Sequence, residues 1–335
     1  MPVFPTTHSI PSPEAVKDRV LPGYSIGRPE RCTLHMSGVN DIYAVQTDSG
    51  RPYILKVYRF GWRSEAEVLY ELDLLEHLHS KGVSVALPVP REDGARTYPV
   101  PAPEGVRQAV LFEYAAGKAP SWPFYENEAE ARLLGGMLAT IHNGAAGFRS
   151  RHRRARLDEA FFLDETLSAA RPYLAAHRAE DWQYLSGLTE RLRARLRALD
   201  TAGLSRGVCH GDYHPGNVFI ADDQVVTAYD FDVCGPGWTA YDLGVWREGA
   251  GTNGNVWASF LNGYREKRAV SAADLEAVPL FRVLRMLDLV RLKTTFTTRG
   301  QWDSWDIDFF FNDTFASLRE REGEALGPAA PVERE

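Results

Sequence analysis

The stretch from Cys209 to Asp232 constrains this chain more than any other. It runs Cys209-His210-Gly211-Asp212-Tyr213-His214-Pro215-Gly216-Asn217, an Asp followed five positions later by an Asn, then a short apolar run, Val218-Phe219-Ile220. An Asp222-Asp223 turn separates that run from a second β-rich one, Val225 to Tyr229, which ends at Asp230-Phe231-Asp232. Two such runs across a tight turn predict a β-hairpin. The hairpin would return Asp230, at its far end, alongside Asn217, at its start. Asp212, Asn217 and Asp230 then make the set that phosphoryl transfer from a nucleotide requires. One carboxylate orients and deprotonates the attacking hydroxyl; an amide oxygen and a second carboxylate hold Mg²⁺ on the phosphates. His214-Pro215-Gly216 is expected to be a turn, since Pro fixes φ and Gly relieves it. The same residues also allow another chemistry, with His210, Asp212 and His214 as ligands of a hydrolytic metal.

A second constraint lies upstream. From about Tyr24 the pattern predicts three antiparallel strands, Cys32–Met36, Ile42–Gln46 and Tyr53–Tyr58, joined by turns at Ser37-Gly38-Val39-Asn40 and Asp48-Ser49-Gly50. The small residues of the first turn would let backbone N–H groups approach a phosphate. Lysine is scarce here, six of the 38 Lys and Arg, yet Lys56 sits inside the third, apolar strand. A charge there is costly unless it is paired or the strand is an edge from which it snorkels. From Glu65 to Leu78 the period is helical, with Val68, Leu72 and Leu75 on one face and Glu71 sharing it. Glu71 is the expected partner, with Glu65 and Glu67 as second choices. Such a Lys–Glu pair presents an ammonium to nucleotide phosphates.

The spacing from Asp212 to Asn217 matches the D-x-x-x-x-N catalytic loop of protein kinases, and Asp230-Phe231-Asp232 stands where D-F-G would be. The wording Gly211-Asp212-Tyr213-His214-Pro215-Gly216-Asn217, with Tyr241-Asp242-Leu243-Gly244 downstream, resembles the aminoglycoside phosphotransferase family. Within it the chain looks most like the branches holding type II homoserine kinases and the bacterial stress-response Ser/Thr kinase. The resemblance implies a bilobal protein-kinase-like α+β fold, with a small β-sheet lobe and a larger, mainly helical one. It implies ATP and Mg²⁺ as cofactors and a hydroxyl acceptor, on a small molecule or on a protein Ser/Thr. It raises Ser37, Gly38 and Asn40 as nucleotide contacts, places Glu113 and Ala115 in the linker whose backbone reads adenine, and makes His210 structural. Asp242 would brace the catalytic loop, and Asp232 would help position the metal or its waters. A nucleotide-binding regulatory pseudokinase of the same fold is the alternative within this reading.

Composition bounds the rest. At 335 residues the chain can hold two packed lobes, expected at 23–112 and 113–326, after an irregular lead-in (1–22) with one short helix and before a tail (327–335). A net charge of −7 argues against nucleic acid as partner. Three scattered cysteines fit a reducing compartment. No apolar run reaches the ~20 residues that span a bilayer, so a cytoplasmic protein without a membrane partner is expected. Further helices are predicted over 127–144, 185–199, 256–264 and 279–295. The Arg149–Arg156 run is expected to be a solvated loop that could steer an anionic substrate. The Trp302–Asp308 cluster is either a helix start or a substrate contact.

Overall fold

The structure is a computed structural model and describes residues 5–201, 203–301 and 307–327. It divides into two compact units. The first holds the chain up to Pro120 together with Gly144–Arg154 and Gly216–Asp232; the second holds Ser121–Asn143, Ala155–Pro215 and Val233 onward. The expected single crossing near 112/113 is thus replaced by several, and the 216–232 segment belongs with the sheet.

Backbone pairing explains that allegiance. In the first unit β1 (Pro29–Ser37), β2 (Asp41–Thr47), β3 (Pro52–Val57), β4 (Tyr98–Ala102) and β5 (Gly105–Glu113) form an antiparallel sheet in the order β1-β2-β3-β5-β4. The β7 (Val218–Ile220) and β8 (Val226–Ala228) hairpin bridges to the same unit on both sides, Ile220 to Lys118 and Ala228 to Val85. Gly117 permits the first bridge. It sits at φ +110°, and a Cβ there would come within 2.5 Å of the Ile220 carbonyl. β4 escapes a propensity reading because Pro99 and Pro101 interrupt it, which only an edge strand tolerates.

Alternation along the strands gives the sheet two unlike faces. Tyr43, Val45, Tyr53, Leu55, Val57, Ala109 and Leu111 point one way, into a core closed by Val16, Val20, Leu21 and Tyr24. The segment expected as an irregular lead-in is therefore part of that core. It is held by a one-turn helix α1 (Pro13–Ala15), by the Tyr43 hydroxyl donating to Pro11 O (2.5 Å), and by Arg107 donating to Ser9 O (2.7 Å). Arg107 also pairs with Asp41 at 2.6 Å, both side chains fully buried. The intervening residues Ile42, Ala44, Ile54 and Lys56 point the other way, and line a cavity with Glu71 and Leu75 of α2 (Glu65–Ser80).

The second unit is mainly helical: α3 (Glu128–Gly144), α4 (Glu165–His177), α5 (Ala179–Thr201), α6 (Ala240–Ala250), α7 (Gly254–Arg265), α8 (Ala272–Thr298) and α9 (Ile307–Leu326). A short ladder of β6 (Arg206–Cys209) with β9 (Gly235–Trp238) accompanies them. The five leucines at 185, 188, 192, 196 and 199 are buried, as their spacing predicts. α8 starts seven residues before the expected Pro279. Ser271 and Asp274 form a capping box that outweighs the internal proline, whose flank (Leu280, Phe281, Val283, Leu284, Leu287) is buried in the core. Among the described residues no helix is long and apolar enough to cross a membrane. The expected Trp302–Asp308 cluster lies outside the described residues over 302–306. Its last member, Asp308, pairs with Arg178 at 2.9 Å.

Candidate active site

The first unit encloses a cavity of about 450 Å³, a volume suited to a nucleotide-sized ligand. Apolar side chains from the sheet and hairpin line it (Ile42, Ala44, Ile54, Phe112, Phe219), and Lys56, Glu71, Asn217 and Asp230 supply its polar groups. The predicted hairpin does what its spacing promised. Val218 pairs with Ala228, Tyr229 N donates to Asn217 O (3.0 Å), and Asp230 arrives beside Asn217. Asp230 takes φ +60°, a left-handed conformation that Asp tolerates better than most residues. Two residues past the end of β8, its carboxylate meets Lys56.

Lys56 is 5% exposed, and three carboxylates surround its ammonium: Asp230 at 2.8 Å, Glu71 at 3.5 Å and Asp232 at 4.0 Å. Burial disfavours its charge, but the carboxylates win and hold it protonated well above the usual lysine range. Glu71 is the expected helix partner, yet Asp230 is the closer counter-ion. Burial pushes Glu71 above the ordinary carboxyl range in spite of Lys56, and the Tyr58 hydroxyl donates to it at 2.9 Å. Glu65 and Glu67 serve elsewhere: Thr97 donates to the first, and the second completes the N-terminal capping box of α2.

Asp232 is a hub rather than an open ligand. It accepts from Asn40 Nδ2 (2.8 Å), Trp62 Nε1 (2.8 Å) and Arg63 Nε (3.0 Å). Burial raises its pKa, but Lys56, Arg63 and Arg154 outweigh that and hold the carboxyl below the usual range. Arg154 also donates to the Asp232 and Glu67 carbonyls, so this member of the basic run is structural. A group whose folded pKa is depressed stabilises the fold above its unfolded pKa, about 3.9, and loses that contribution as pH falls through the folded value. Urea unfolding of Asp232→Asn at pH 5 and pH 3 should therefore show a shallower loss of stability on acidification than the unaltered protein. An identical slope would exclude this role.

The Ser37–Asn40 turn is occupied internally. Ser37 Oγ donates to Asp41 (2.6 Å), Gly38 N to Asn40 O (3.0 Å), and the Asn40 amide spans Asp232 and Arg59 N. The cavity is lined instead by His35 and Met36, just before the turn. Glu113 and Ala115 lie on its wall with Tyr114. Glu113 N donates to Leu87 O (2.8 Å), and its carboxylate pairs with Arg51 (2.6 Å). Sequence reasoning missed His35, Met36 and the aromatic wall of Phe219 and Tyr229 (centroids 5.1 Å apart). Alternation along the hairpin was the available signal for the aromatic pair; in β1 the register shifts between Leu34 and Met36, and two adjacent side chains, His35 and Met36, line the cavity.

The second unit carries the Asp212 loop. Asp242, near the start of α6, is fully buried and accepts from His210 N (2.9 Å) and Gly211 N (2.8 Å). His142 Nε2 lies 2.9 Å from the same carboxylate, with the Tyr264 hydroxyl 2.7 Å from its Nδ1. Gly211, at φ +87°, packs so tightly on Val233 that a Cβ would strike the Val233 carbonyl. The loop is therefore rigidly braced. Asp212 Oδ1 accepts from Arg285 of α8, and His214 Nε2 lies 3.6 Å from Oδ2. Burial raises the Asp212 carboxyl, but Arg285 and then His214 bring it far below the usual range. Nothing in the sequence pattern singled out Arg285. The competing hydrolase reading finds no support in this geometry: His210 is fully buried, and among the described residues no group of three His, Cys, Asp or Glu is arranged to hold a metal.

Asn217 and Asp230 present an amide and a carboxylate oxygen, the donors that a hard cation such as Mg²⁺ accepts when phosphates complete its shell. An antiparallel sheet with a buried Lys–carboxylate cluster in one unit, and a braced Asp loop in a second, mainly helical unit, are the parts of a phosphotransferase of kinase-like fold. The chain belongs to the phosphotransferase enzyme family, whose sequence profile matches residues 34–277. An uncharacterized protein of Deinococcus radiodurans is 40% identical over 291 residues, 85% of this chain and 82% of that one. Homoserine kinase of Caulobacter vibrioides is 30% identical over 271 residues, covering 78% of this chain and 80% of its own. The fold is also that of the microcompartment-associated aminopropanol kinase, with a TM-score of 0.72 at 23% identity, covering 93% of this chain and 95% of that one. The protein is a kinase, a phosphotransferase with an alcohol group as acceptor.

Proposed function

We propose that this enzyme transfers the γ-phosphoryl group of ATP, with Mg²⁺, to a hydroxyl of a small molecule. The observation that carries the reading is the convergence of Lys56, Asn217 and Asp230 on one apolar-walled cavity in the sheet unit. The adenine would lie among Ile42, Ala44, Phe112 and Phe219, with backbone recognition at Glu113 and Ala115. Lys56, steadied by Glu71, neutralises the non-transferred phosphates. Asn217 and Asp230 would hold Mg²⁺, which supplies charge neutralisation on the phosphate oxygens. In the transfer the acceptor oxygen forms a bond to the γ-phosphorus, the bond from that phosphorus to the β–γ bridging oxygen breaks, and ADP leaves. The hydroxyl proton passes to Asp212. Asp242, through the loop N–H groups, keeps Asp212 in position. A small acceptor fits the named activities of the related homoserine kinase and of the aminopropanol kinase; neither points to a protein Ser/Thr. Because Lys56, Asp212, Asn217 and Asp230 are all present, turnover is favoured over a silent nucleotide-binding role.

Asp230→Ala should weaken Mg-ATP binding ~10–100-fold, the scale of one lost charge-assisted contact, while leaving magnesium-free nucleotide binding far less altered. Calorimetric titration with ATP, with and without Mg²⁺, reads this directly. An unchanged Kd in both titrations would remove Asp230 from the nucleotide site.

A further inference from the structure

We propose that Arg285 is an acceptor-binding residue that takes a carboxylate, so that the acceptor is a small hydroxy acid, free or as a hydroxy amino acid. This deepens the kinase reading above and rests on it.

The cations of α8 are not equivalent. Arg282 is committed to Glu248 (3.0 Å) and Glu324 (3.5 Å). Arg291 is committed to Asp288 through Nε (3.1 Å) and Nη2 (2.5 Å). These pairs are architectural. Arg285 instead spends one amino group on Asp212, the residue assigned to receive the hydroxyl proton; its other partners are the Tyr241 hydroxyl and, at 3.4 Å, Asp288 Oδ2, while Arg291 takes Oδ1 of that carboxylate. The pair is not sealed: the Arg285 side chain is 15% exposed and that of Asp212 is 23% exposed. A guanidinium on the carboxylate lowers its proton affinity, the opposite of what a base needs. The conflict disappears if the acceptor brings its own anion. The planar fork of Arg285 can then turn to that carboxylate, the pairing for which its geometry is suited, and Asp212 is left to the hydroxyl.

The alternative, an amino-alcohol acceptor, needs an anion or an aromatic face for its ammonium. Around the Asp loop the described carboxylates are engaged: Asp242 by two backbone N–H groups and His142, Asp288 by Arg291, Glu248 by Arg282. Trp246 is buried and stacks on Phe260 with ring centroids 4.2 Å apart, so its face is already covered.

The test is kcat/KM of the full-length enzyme on matched acceptors that differ in the carboxylate: L-homoserine against L-homoserinol, and 4-hydroxybutyrate against 1,4-butanediol, with 1-amino-2-propanol as the cationic probe. The carboxylate member of each pair should be preferred ~10–100-fold. Arg285→Gln should collapse that preference to within about threefold, chiefly through KM, and Arg285→Lys should recover part of it as a point charge without the fork. A preference for the uncharged or cationic probes, or one that survives Arg285→Gln, overturns the proposal and leaves the kinase reading standing. The acceptor series on the unaltered enzyme decides the matter even if the variant fails to fold. Absence of turnover with every member overturns the proposal and the small-acceptor reading together.

Discussion

Asp212→Asn should lower turnover by about 10²–10⁴, the usual contribution of a positioned general base, and should leave Mg-ATP affinity nearly unchanged. The amide is isosteric, so the loop geometry set by Asp242 and His142 persists, and an oxygen remains for Arg285. What is lost is the group that can receive a proton. The residues that line the cavity all belong to the sheet unit and Asp212 does not, so binding and turnover are expected to separate. Steady-state kinetics on an acceptor that the unaltered enzyme phosphorylates, paired with nucleotide titration, measures both quantities. Turnover retained within about twofold would remove Asp212 from the proton-accepting role.

The second large effect is on stability. Arg107→Ala should cost about 3–5 kcal/mol, the range for breaking a buried ion pair from one side. Arg107 and Asp41 are both fully buried, and the guanidinium also serves the carbonyls of Tyr58 (2.9 Å), Val57 (3.2 Å) and Ser9 (2.7 Å). Removing it strands a carboxylate in the sheet's interior, where His8 and Ser37 are the remaining partners. Asp41→Ala alone should also be costly, and the double variant should lose less than the sum of the two. Denaturant unfolding of the three proteins measures the coupling. A single-variant loss under about 1 kcal/mol would show that relaxation or water meets the charge instead.

Legibility followed locality. The hairpin could be read because two apolar runs and one acidic turn lie within a dozen residues of Asp230, and α2 because its face repeats at helical spacing with Glu71 upon it. The buried leucines of α5 were legible for the same reason. Arg285 was not, since its partner Asp212 is 73 positions away and a helical Arg carries no mark of what it will meet. Nor was the role of Asn40: a turn residue beside Gly38 has the look of a phosphate loop, and only the fold reveals that its amide is spent on Asp232. The edge strand β4 was hidden by its own prolines, and the start of α8 by a proline that marks many helix beginnings but not this one. Ser271 and Asp274, at capping-box spacing, were the better guide.

The first two dozen residues carry a practical lesson. Compositional reading places the start of the folded body at about residue 23, and a fragment trimmed there would look conservative. It would strip Val16, Val20 and Leu21 from the sheet face they cover and remove Ser9 and Pro11, to which Arg107 and Tyr43 are moored. The exposed face would be a broad, aromatic-rich adhesive surface, with Tyr43 and Tyr53 laid open. Fusion partners and affinity handles are better attached elsewhere, and an insoluble shortened fragment would say little about the intact enzyme.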